Sequence, residues 1–371
     1  MTSQRVSIHL CEMKTPTDVS EVEALLGKID PHSIVGVIGK TEGTGLSDDY
    51  ARVVADWSLR DAIGARTGWS RDEVGVRVAF VLSGGCFGAV TPHVSIITRE
   101  DMRETPHSGK WLAVGRGWSD EIFAEDVGRS AQIRKVAAAV RQAQVDASID
   151  DVSDIHCVLV KAPSLTRETI EDARRRGKDV VTTDLGVGEN GAMCFSNDGS
   201  ALGVALALGE IAERDVNDTI VRQRWDLYSE VASTSSGGEK RHAEIFLLGN
   251  STKSVSDLRI GHGITRDFID QEGIKSALRS AGLDFDCAPN PEQQSHVVAV
   301  FAKMIVPGDG QIRGHSSTLL RESNPERTAK AVGGALIGSV IGETRFFMSG
   351  GERNSHQGPP GGSPVAAVVR P

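Results

Sequence analysis

Three lysines close apolar runs of the chain, and each is followed further along by a serine beside a glycine. Lys40 closes "SIVGVIGK", Lys161 closes "IHCVLVK" and Lys303 closes "VVAVFAK". Serine becomes a good nucleophile only when a base takes its proton, and a lysine kept neutral by burial is such a base. These residues therefore predict acyl-transfer chemistry, provided that the fold brings them together.

The serines close a second strand-like run, and they are Ser83 with Gly84, Ser235 with Ser236, and Ser349 with Gly350. Glycine lets the backbone approach a ligand closely, and successive N–H groups then bind a carbonyl oxygen or an oxyanion. Simple strand termination is the alternative interpretation of each Ser-Gly turn. For the lysines, the alternative is a side chain that reaches solvent at the edge of a sheet.

The elements that position these residues recur in one order: helix, strand ending in lysine, loop, helix, strand ending in serine. The lysine-to-serine spacings are 43, 74 and 46 residues. Alternating strand and helix patterns predict an α/β (α+β) fold. We therefore predict three structurally similar domains, each a sheet covered by helices: unit A (1–106), unit B (112–250) and unit C (256–371).

Three such units around a pseudo-threefold axis would bring three lysines to one centre. Burial and mutual repulsion would then lower the lysine pKa values, as a base requires. No histidine repeats in step with the serines, so a Ser-His-Asp triad is disfavoured. A cavity of this symmetry matches a small ring with carbonyl groups on three sides.

The composition excludes several other classes of protein. The chain has 371 residues, a net charge of −9 and only 5% aromatic residues, which argues against a nucleic-acid partner. Five widely spaced cysteines fit neither a zinc site nor a disulfide framework and favour a cytoplasmic location. The apolar run at 331–342 is too short to span a bilayer, so no membrane partner is expected.

Seven segments in collinear order resemble one known family. They are "VIGKTEGTGLSDDYAR", "VAFVLSGG", "VKAPSLT", "VASTSSGGE", "FAKMI", "NPERTAKAVGGA" and "SHQGPPGGSPVAAV". Together they resemble the cyanuric acid hydrolase/barbiturase family of ring-opening cyclic amide hydrolases. The resemblance implies three domains around an axial active site, hydrolysis of a cyclic amide by a Ser-Lys dyad without a required cofactor, and a homo-oligomer, commonly a tetramer.

The resemblance also implies roles for individual residues. Lys161 matches the catalytic lysine, Ser235 the nucleophile and Ser236 the substrate-binding position beside it. The remaining substrate-binding positions lie in all three units: Arg52, Ser83, Gly84, Asn197, Arg327, Ser349, Gly350, Lys40 and Lys303. A solvated helix face is the alternative interpretation of an isolated arginine.

The sequence departs from the family pattern at two positions. Asn197 stands where the cyanuric acid branch usually carries an arginine, and this substitution is closer to the barbiturase branch. Ile305 stands where the family often has a glutamate that binds a structural Mg²⁺ or Ca²⁺. Oxygens of one C-terminal loop remain as a weak candidate site: Gln357, Gly358, Pro359 and Gly362. Without the carboxylate, tight cation binding is not expected.

Two other functions remain open at this point. A threefold pocket without catalysis would be a binding protein for a cyclic, ureide-like metabolite. A general serine peptidase or esterase would need an open groove, which a closed threefold arrangement disfavours.

Overall fold

A computed structural model describes residues 3–44, 49–106, 108–186, 188–351 and 353–371 of the chain. Part of the "GLSDDYAR" motif, at 45–48, lies outside these ranges. Within them, the strands form three four-stranded sheets and one two-stranded ribbon. Each sheet draws its strands from a single stretch of the chain, 3–102, 111–251 or 259–369.

The first stretch contains four strands and three helices. Its strands are β1 (Ser3–Glu12), β2 (Ile34–Lys40), β3 (Ala79–Ser83) and β4 (His93–Met102). Its helices are α1 (Ser20–Leu26), α2 (Tyr50–Thr67) and α3 (Arg71–Arg77).

The second stretch repeats this arrangement. Its strands are β5 (Trp111–Trp118), β6 (Ile155–Pro163), β7 (Ala232–Gly237) and β8 (Glu244–Ser251). Its helices are α4 (Ser130–Asp146), α5 (Arg167–Arg175) and α6 (Ala192–Leu208).

The third stretch adds a short ribbon to the same plan. Its strands are β9 (Arg259–Thr265), β10 (Val297–Ile305), β11 (Gln311–Ile312), β12 (His315–Ser316), β13 (Phe347–Gly351) and β14 (Ser363–Val369). Its helices are α7 (Gln271–Ser280), α8 (Pro291–Gln294) and α9 (Pro325–Ile341).

The three sheets have the same strand order, β1-β4-β2-β3, β5-β8-β6-β7 and β9-β14-β10-β13. In each sheet the lysine strand pairs antiparallel with the last strand and parallel with the serine strand, which lies at the edge. The longest helix between the lysine strand and the serine strand, α2, α6 or α9, ends at a left-handed glycine in every unit: Gly68, Gly209 or Gly342. Glycine adopts this conformation without the penalty that a Cβ imposes.

Residues from all three sheets form a common central core. Ile38, Leu159 and Phe301 belong to this core, although each lies in a different sheet. Their neighbours one position further along, such as Val160 and Ala302, belong instead to cores under the helices of their own unit. Since successive side chains of a strand point to opposite faces, each sheet buries one face at the centre and the other under helices.

This architecture confirms the predicted fold class. The structure extends two predicted strands, since β6 and β10 continue two residues beyond Lys161 and Lys303. The sheet of unit B begins at Trp111 and ends at Ser251, and the unit boundaries stay a prediction. Among the described residues, no helix has both the length and the apolar character needed to cross a bilayer.

Candidate active site

Each predicted lysine lies directly beside its predicted serine on the neighbouring parallel strand. The register pairs Lys40 with Ser83, Lys161 with Ser235, and Lys303 with Ser349. The separations of 43, 74 and 46 residues thus lead to one local geometry, repeated three times. A single such pair could be incidental, but three at equivalent register positions are a built feature of the fold.

The same alternation places all three lysines on the inward faces of their sheets. Lys40 lies two residues beyond Ile38, Lys161 two beyond Leu159 and Lys303 two beyond Phe301, and these three apolar residues belong to the central core. The lysines are 0%, 3% and 1% exposed, respectively. Their ammonium groups therefore cluster at one end of the central core, away from bulk water.

Lys40 forms a closed pair with its serine. Its Nζ donates to Ser83 Oγ at 3.1 Å and to the carbonyl oxygen of Gly84 at 2.7 Å. Burial lowers the pKa of Lys40 to about 7, and the positive charge of Lys330 adds to the effect. Near neutral pH this lysine is thus poised between its charged and neutral forms.

Lys161 has a carboxylate partner instead. Its Nζ lies 3.4 Å from Glu239 Oε1 and donates to the carbonyl oxygen of Ser236 at 3.1 Å. Burial lowers its pKa to about 8; Glu239 opposes this shift, and the charge of Arg52 adds to it. The Glu239 side chain is 53% exposed, and the charges of Lys161 and Arg52 hold its pKa below the ordinary value.

Lys303 reaches out of its own unit. Its Nζ donates at 2.8 Å to the carbonyl oxygen of Thr234, the residue before Ser235 in unit B. Burial lowers the pKa of Lys303 to about 8, against the opposing charges of Glu326 and Asp198. The three equivalent lysines therefore have three different partners: a serine, a carboxylate and a neighbouring backbone.

The serine hydroxyls differ in the same way. Ser235 Oγ and Ser349 Oγ are buried and have no hydrogen-bond partner among the residues described, whereas Ser83 Oγ accepts from Lys40. Ser236 Oγ donates to the carbonyl oxygen of Met193 over a long 3.4 Å. The hydroxyls of Ser235 and Ser349 are thus available to a ligand, since an unpaired buried polar group is unfavourable.

Besides Glu239, two residues that were not predicted lie beside the buried lysines, Glu326 and a fourth lysine, Lys330. Lys330 is 3% exposed and pairs with Glu326 at 2.9 Å. Burial opposes ionisation of Glu326, but Lys330, Lys303 and Lys40 hold its pKa below the ordinary value. A Cβ on Gly350 would collide with the Glu326 side chain, so a larger residue there would displace this carboxylate. The one available sequence signal was the i, i+4 spacing of Glu326 and Lys330 on one helix face.

The two predicted arginines occupy different environments. Arg52, near the start of α2, lines a cavity of about 300 Å³ together with Met193, Ser236 and Glu239. Arg327 is exposed, and its guanidinium carbon lies 4.8 Å from the ring centre of Phe87. The structure therefore places Arg52 beside the unit B pair and Arg327 on a unit A aromatic ring.

Asn197 and Gln357 of the C-terminal loop both form hydrogen bonds with Thr234. The carbonyl oxygen of Asn197 accepts from Thr234 Oγ1 at 2.8 Å, while its side-chain Oδ1 is buried without a partner among the described atoms. The side-chain oxygen of Gln357 accepts from the Thr234 N–H at 2.6 Å. The predicted selectivity residue and the predicted cation ligand thus meet at the strand that carries Ser235.

The same contacts bear on the candidate cation site. Gln357 Oε1 is already used by the Thr234 N–H, and the carbonyl oxygen of Pro359 accepts from the Gly362 N–H at 2.8 Å. Ile305 offers no ligand atom in its side chain. Mg²⁺ and Ca²⁺ prefer sets of oxygens that include carboxylates, and the described part of the chain contains no cluster of three or more His, Cys, Asp or Glu placed to hold a metal. These oxygens do not fit a tight cation site.

Comparison with known proteins decides the family. A family model described as amidohydrolase ring-opening protein matches residues 7–370. The chain belongs to this family. The ring-opening amidohydrolases thus include this chain over nearly its whole length, and the recognition made from the seven sequence motifs is confirmed.

Individual members of the family are similar along their full lengths. A cyclic amide hydrolase of Pseudofrankia inefficax is 51% identical over 370 residues, which cover 99% of this chain and 95% of the relative. Barbiturase 1 of a Nocardioides species is 37% identical, with 99% and 97% covered. A solved structure of a cyanuric acid hydrolase has a TM-score of 0.91 at 37% identity and covers 100% of both chains. Membership of this family shows that the protein is a hydrolytic enzyme.

Proposed function

We propose that the protein opens a six-membered cyclic amide of the cyanuric acid or barbituric acid type by hydrolysing one ring amide bond, with Ser235 as nucleophile and Lys161 as base. One observation carries the proposal: three lysine–serine register pairs face one central core at the same end. A substrate held between three such pairs would be a planar ring with carbonyls on three sides. The names of similar proteins, among them a barbiturase and a cyanuric acid hydrolase, support this substrate class.

The choice of unit B rests on the family motif and on local chemistry. Ser83 Oγ lies 3.1 Å from Lys40 Nζ, a distance that also suits a nucleophile and its base. The hydroxyls of Ser235 and Ser349 are buried and have no partner in the described part of the chain, and among the three serines the motif resemblance favours Ser235. Next to Ser235, Lys161 also has Glu239 and Arg52 as charged neighbours that set its proton affinity.

The first half of the reaction forms an ester. Neutral Lys161 takes the Ser235 proton while Ser235 Oγ attacks a ring carbonyl carbon. The resulting oxyanion is stabilised by the Ser236 hydroxyl and by backbone N–H groups of the Ser-Gly turn; one such donor contributes roughly 3 to 4 kcal/mol in comparable sites. The ring C–N bond then breaks, and the Lys161 ammonium returns the proton to the departing nitrogen.

The second half releases the product. A water molecule gives a proton to Lys161 and attacks the ester carbon, and the Ser235 oxygen leaves with that proton. The product is an open chain that carries one new carboxylic acid and one new N–H. The proposed steps use protein side chains and water and need no cofactor.

The outer two pairs orient the ring. Ser83 Oγ accepts from Lys40 and donates only over a long 3.5 Å to the carbonyl oxygen of Gly84, so a substrate carbonyl can accept its proton instead. Ser349, Gly350 and Lys303 occupy the equivalent position in unit C. These contacts use binding energy to hold the ring in the correct orientation. Correct orientation of the reacting groups accounts for a large part of the rate acceleration in acyl transfer.

We also propose an oligomeric state and a cellular location. The family resemblance supports a homo-oligomer, with a tetramer as the specific expectation. None of the five cysteines, all of which lie in the described residues, forms a disulfide, and this favours a reducing compartment such as the cytoplasm. Gel filtration with light scattering tests the tetramer.

A substrate panel tests the function. Cyanuric acid, barbituric acid and related cyclic imides are assayed by loss of ring absorbance with the wild type and Asn197→Arg. Ring opening of any of them is the expected result, with a shift of kcat/KM toward cyanuric acid in the variant. Lys161 contacts Glu239 rather than Ser235 Oγ, which favours the alternative of a binding protein, and tight binding of the whole panel without turnover would establish that alternative.

A further inference from the structure

The serine strand β7 lies at an edge of its sheet, because the order is β5-β8-β6-β7. One side of β7 pairs with β6, and the backbone groups on the other side need partners from elsewhere if they are buried. Thr234 is 0% exposed and sits on this strand immediately before Ser235. The hydrogen bonds of Thr234 therefore show how the free side of this strand is held in place.

Every polar group of Thr234 has a partner. The N–H donates to Gln357 Oε1 at 2.6 Å, and the carbonyl oxygen accepts from Lys303 Nζ at 2.8 Å. The hydroxyl donates to the carbonyl oxygen of Asn197 at 2.8 Å. Two of these three partners belong to unit C. We call Thr234 and these three partners the Thr234 clamp.

The clamp occurs at a position where the three units differ. The residues at the equivalent register position are Leu82 in unit A and Met348 in unit C, which pair with Gly39 and Ala302 as Thr234 pairs with Val160. The equivalent lysines also differ, since Lys161 pairs with its own glutamate. The strand that carries Ser235 thus differs from its two equivalents, because only its residue at this position has a hydroxyl, which donates to the backbone of α6.

A buried ion pair holds the Gln357 side chain of the clamp through Ser355. Gln357 Nε2 donates to Ser355 Oγ at 3.0 Å, and Ser355 Oγ donates to Asp198 Oδ1 at 2.5 Å. Arg222 Nη1 donates to Asp198 Oδ2 at 2.5 Å, and both charged side chains are less than a tenth exposed. The Gln357 side chain therefore has little freedom to leave Thr234, because its other end is bonded to a fixed network.

We propose that Gln357 and Lys303 are positioning residues that hold the Thr234–Ser235 backbone, and thereby aim the Ser235 hydroxyl at the substrate. The proposal rests on the proposed function, in which Ser235 is the nucleophile. The clamp forms hydrogen bonds with the unpaired side of β7, while Ser235 Oγ itself has no partner within the ranges that the structure describes. The nucleophile is thus fixed through its backbone and free at its reactive atom.

The first test removes one clamp bond. Gln357→Met keeps the length of the side chain but lacks an acceptor for the Thr234 N–H. We expect kcat to fall by about 10- to 100-fold, the range that a misplaced reacting group produces, with KM changed less than threefold. The probes are cyanuric acid and barbituric acid. An unchanged kcat would overturn the proposal.

A matched control separates positioning from general stability. Gln4 is also buried, at 6% exposure, and its Oε1 accepts the Val114 N–H at 3.1 Å, but it lies on β1 and contacts no residue of the clamp. Gln4→Met should lower the melting temperature about as much as Gln357→Met while kcat stays within threefold of wild type. Equal losses of kcat in both variants would mean that Gln357 is merely structural.

A second pair of variants keeps the proposal testable if Gln357→Met does not fold. Thr234→Val preserves shape but removes the bond to Asn197, and Thr234→Ser restores the hydroxyl. We expect kcat to fall several-fold in the first and to recover in the second. Equal kcat in the two variants would contradict the clamp.

Binding measurements separate this proposal from the proposed function. In a Ser235→Ala background, Gln357→Met should leave the Kd of either probe within twofold, because the clamp acts through Ser235; a tenfold weaker Kd would contradict it. Full activity of Ser235→Ala alone would instead refute the proposed nucleophile. An inactive Ser235→Ala with a normal Gln357→Met would refute only the clamp.

Discussion

The lysine–serine pairs of units A and B have the same backbone register but different surroundings. Lys40 donates to Ser83 Oγ, so its pair is closed. Lys161 contacts Glu239 and the Ser236 carbonyl oxygen, and no described residue bonds Ser235 Oγ. The repeated fold therefore gives each lysine and serine the same backbone position. Residues outside the repeat pattern then determine which contacts each pair makes.

The difference matters for the chemistry of each hydroxyl. A serine that already accepts a hydrogen bond has its proton free to donate to a carbonyl, which suits substrate binding. A serine with no partner is free to lose its proton to a base and attack. On this account, unit A binds and unit B reacts, although their backbones are equivalent.

Replacing each serine should give the largest contrast. Ser235→Ala should lower kcat by about 10⁴-fold or more, as removal of a nucleophile does elsewhere. Ser83→Ala should cost about 10- to 100-fold, because it removes one hydrogen bond to the substrate. Steady-state assays with the substrate panel measure both. A loss in Ser83→Ala as large as that in Ser235→Ala would remove the distinction between the units.

The lysines should show a similar but smaller contrast. Lys161→Arg keeps a positive charge but cannot act as a base near neutral pH, and we expect kcat to fall by about 10²- to 10⁴-fold, the usual contribution of general base catalysis. Lys40→Arg should mainly raise KM, since its charge and donors persist. Substantial turnover by Lys161→Arg would show that another group takes the proton.

The pH dependence sharpens the assignment of the base. The active form needs neutral Lys161, whose pKa is lowered to about 8 by burial. Activity should therefore rise as the pH increases toward 8 and level off above it. Glu239 raises this pKa, so Glu239→Gln should move the midpoint to lower pH. Substrate ionisation is the same for both enzymes, and identical profiles would therefore contradict Lys161 as the titrating base.

The smallest expected effect concerns stability. Burial lowers the pKa of Lys40 to about 7, below its value in the unfolded chain, so the unfolded state binds more protons between about pH 7 and 10. Stability from this group should thus rise with pH across that range. Lys40→Met should raise the melting temperature at pH 7 by roughly 2 to 5 °C, limited by the loss of the Ser83 and Gly84 bonds. A lower melting temperature would show that those bonds outweigh the cost of burial.

Much of the site was predictable because it is repeated. Lys40, Lys161 and Lys303 close apolar runs that alternate with helices, and Ser83, Ser235 and Ser349 end the next strands, so the register could be anticipated from the order of elements. Glu239 could not be anticipated, because its contact with Lys161 spans 78 residues and follows a Gly-Gly turn with no local signal.

Other parts depended on details of helix rotation and long-range packing. Glu326 and Arg327 are neighbours on α9, and because adjacent helical residues point about 100° apart, only one of them faces the centre. The structure places Glu326 there. The contact of Gln357 with Thr234 joins residues 123 apart, and a motif alone does not reveal which side chain such a loop meets.

The central claim is that Ser235, rather than Ser83 or Ser349, attacks the ring. Wild-type enzyme mixed with substrate and quenched in acid within milliseconds can be digested and mapped by mass spectrometry. Because ring opening keeps both fragments on one chain, the acyl-enzyme carries the full mass of the substrate. The account predicts this mass on the peptide that contains Ser235, and the same mass on the Ser83 or Ser349 peptide would contradict it.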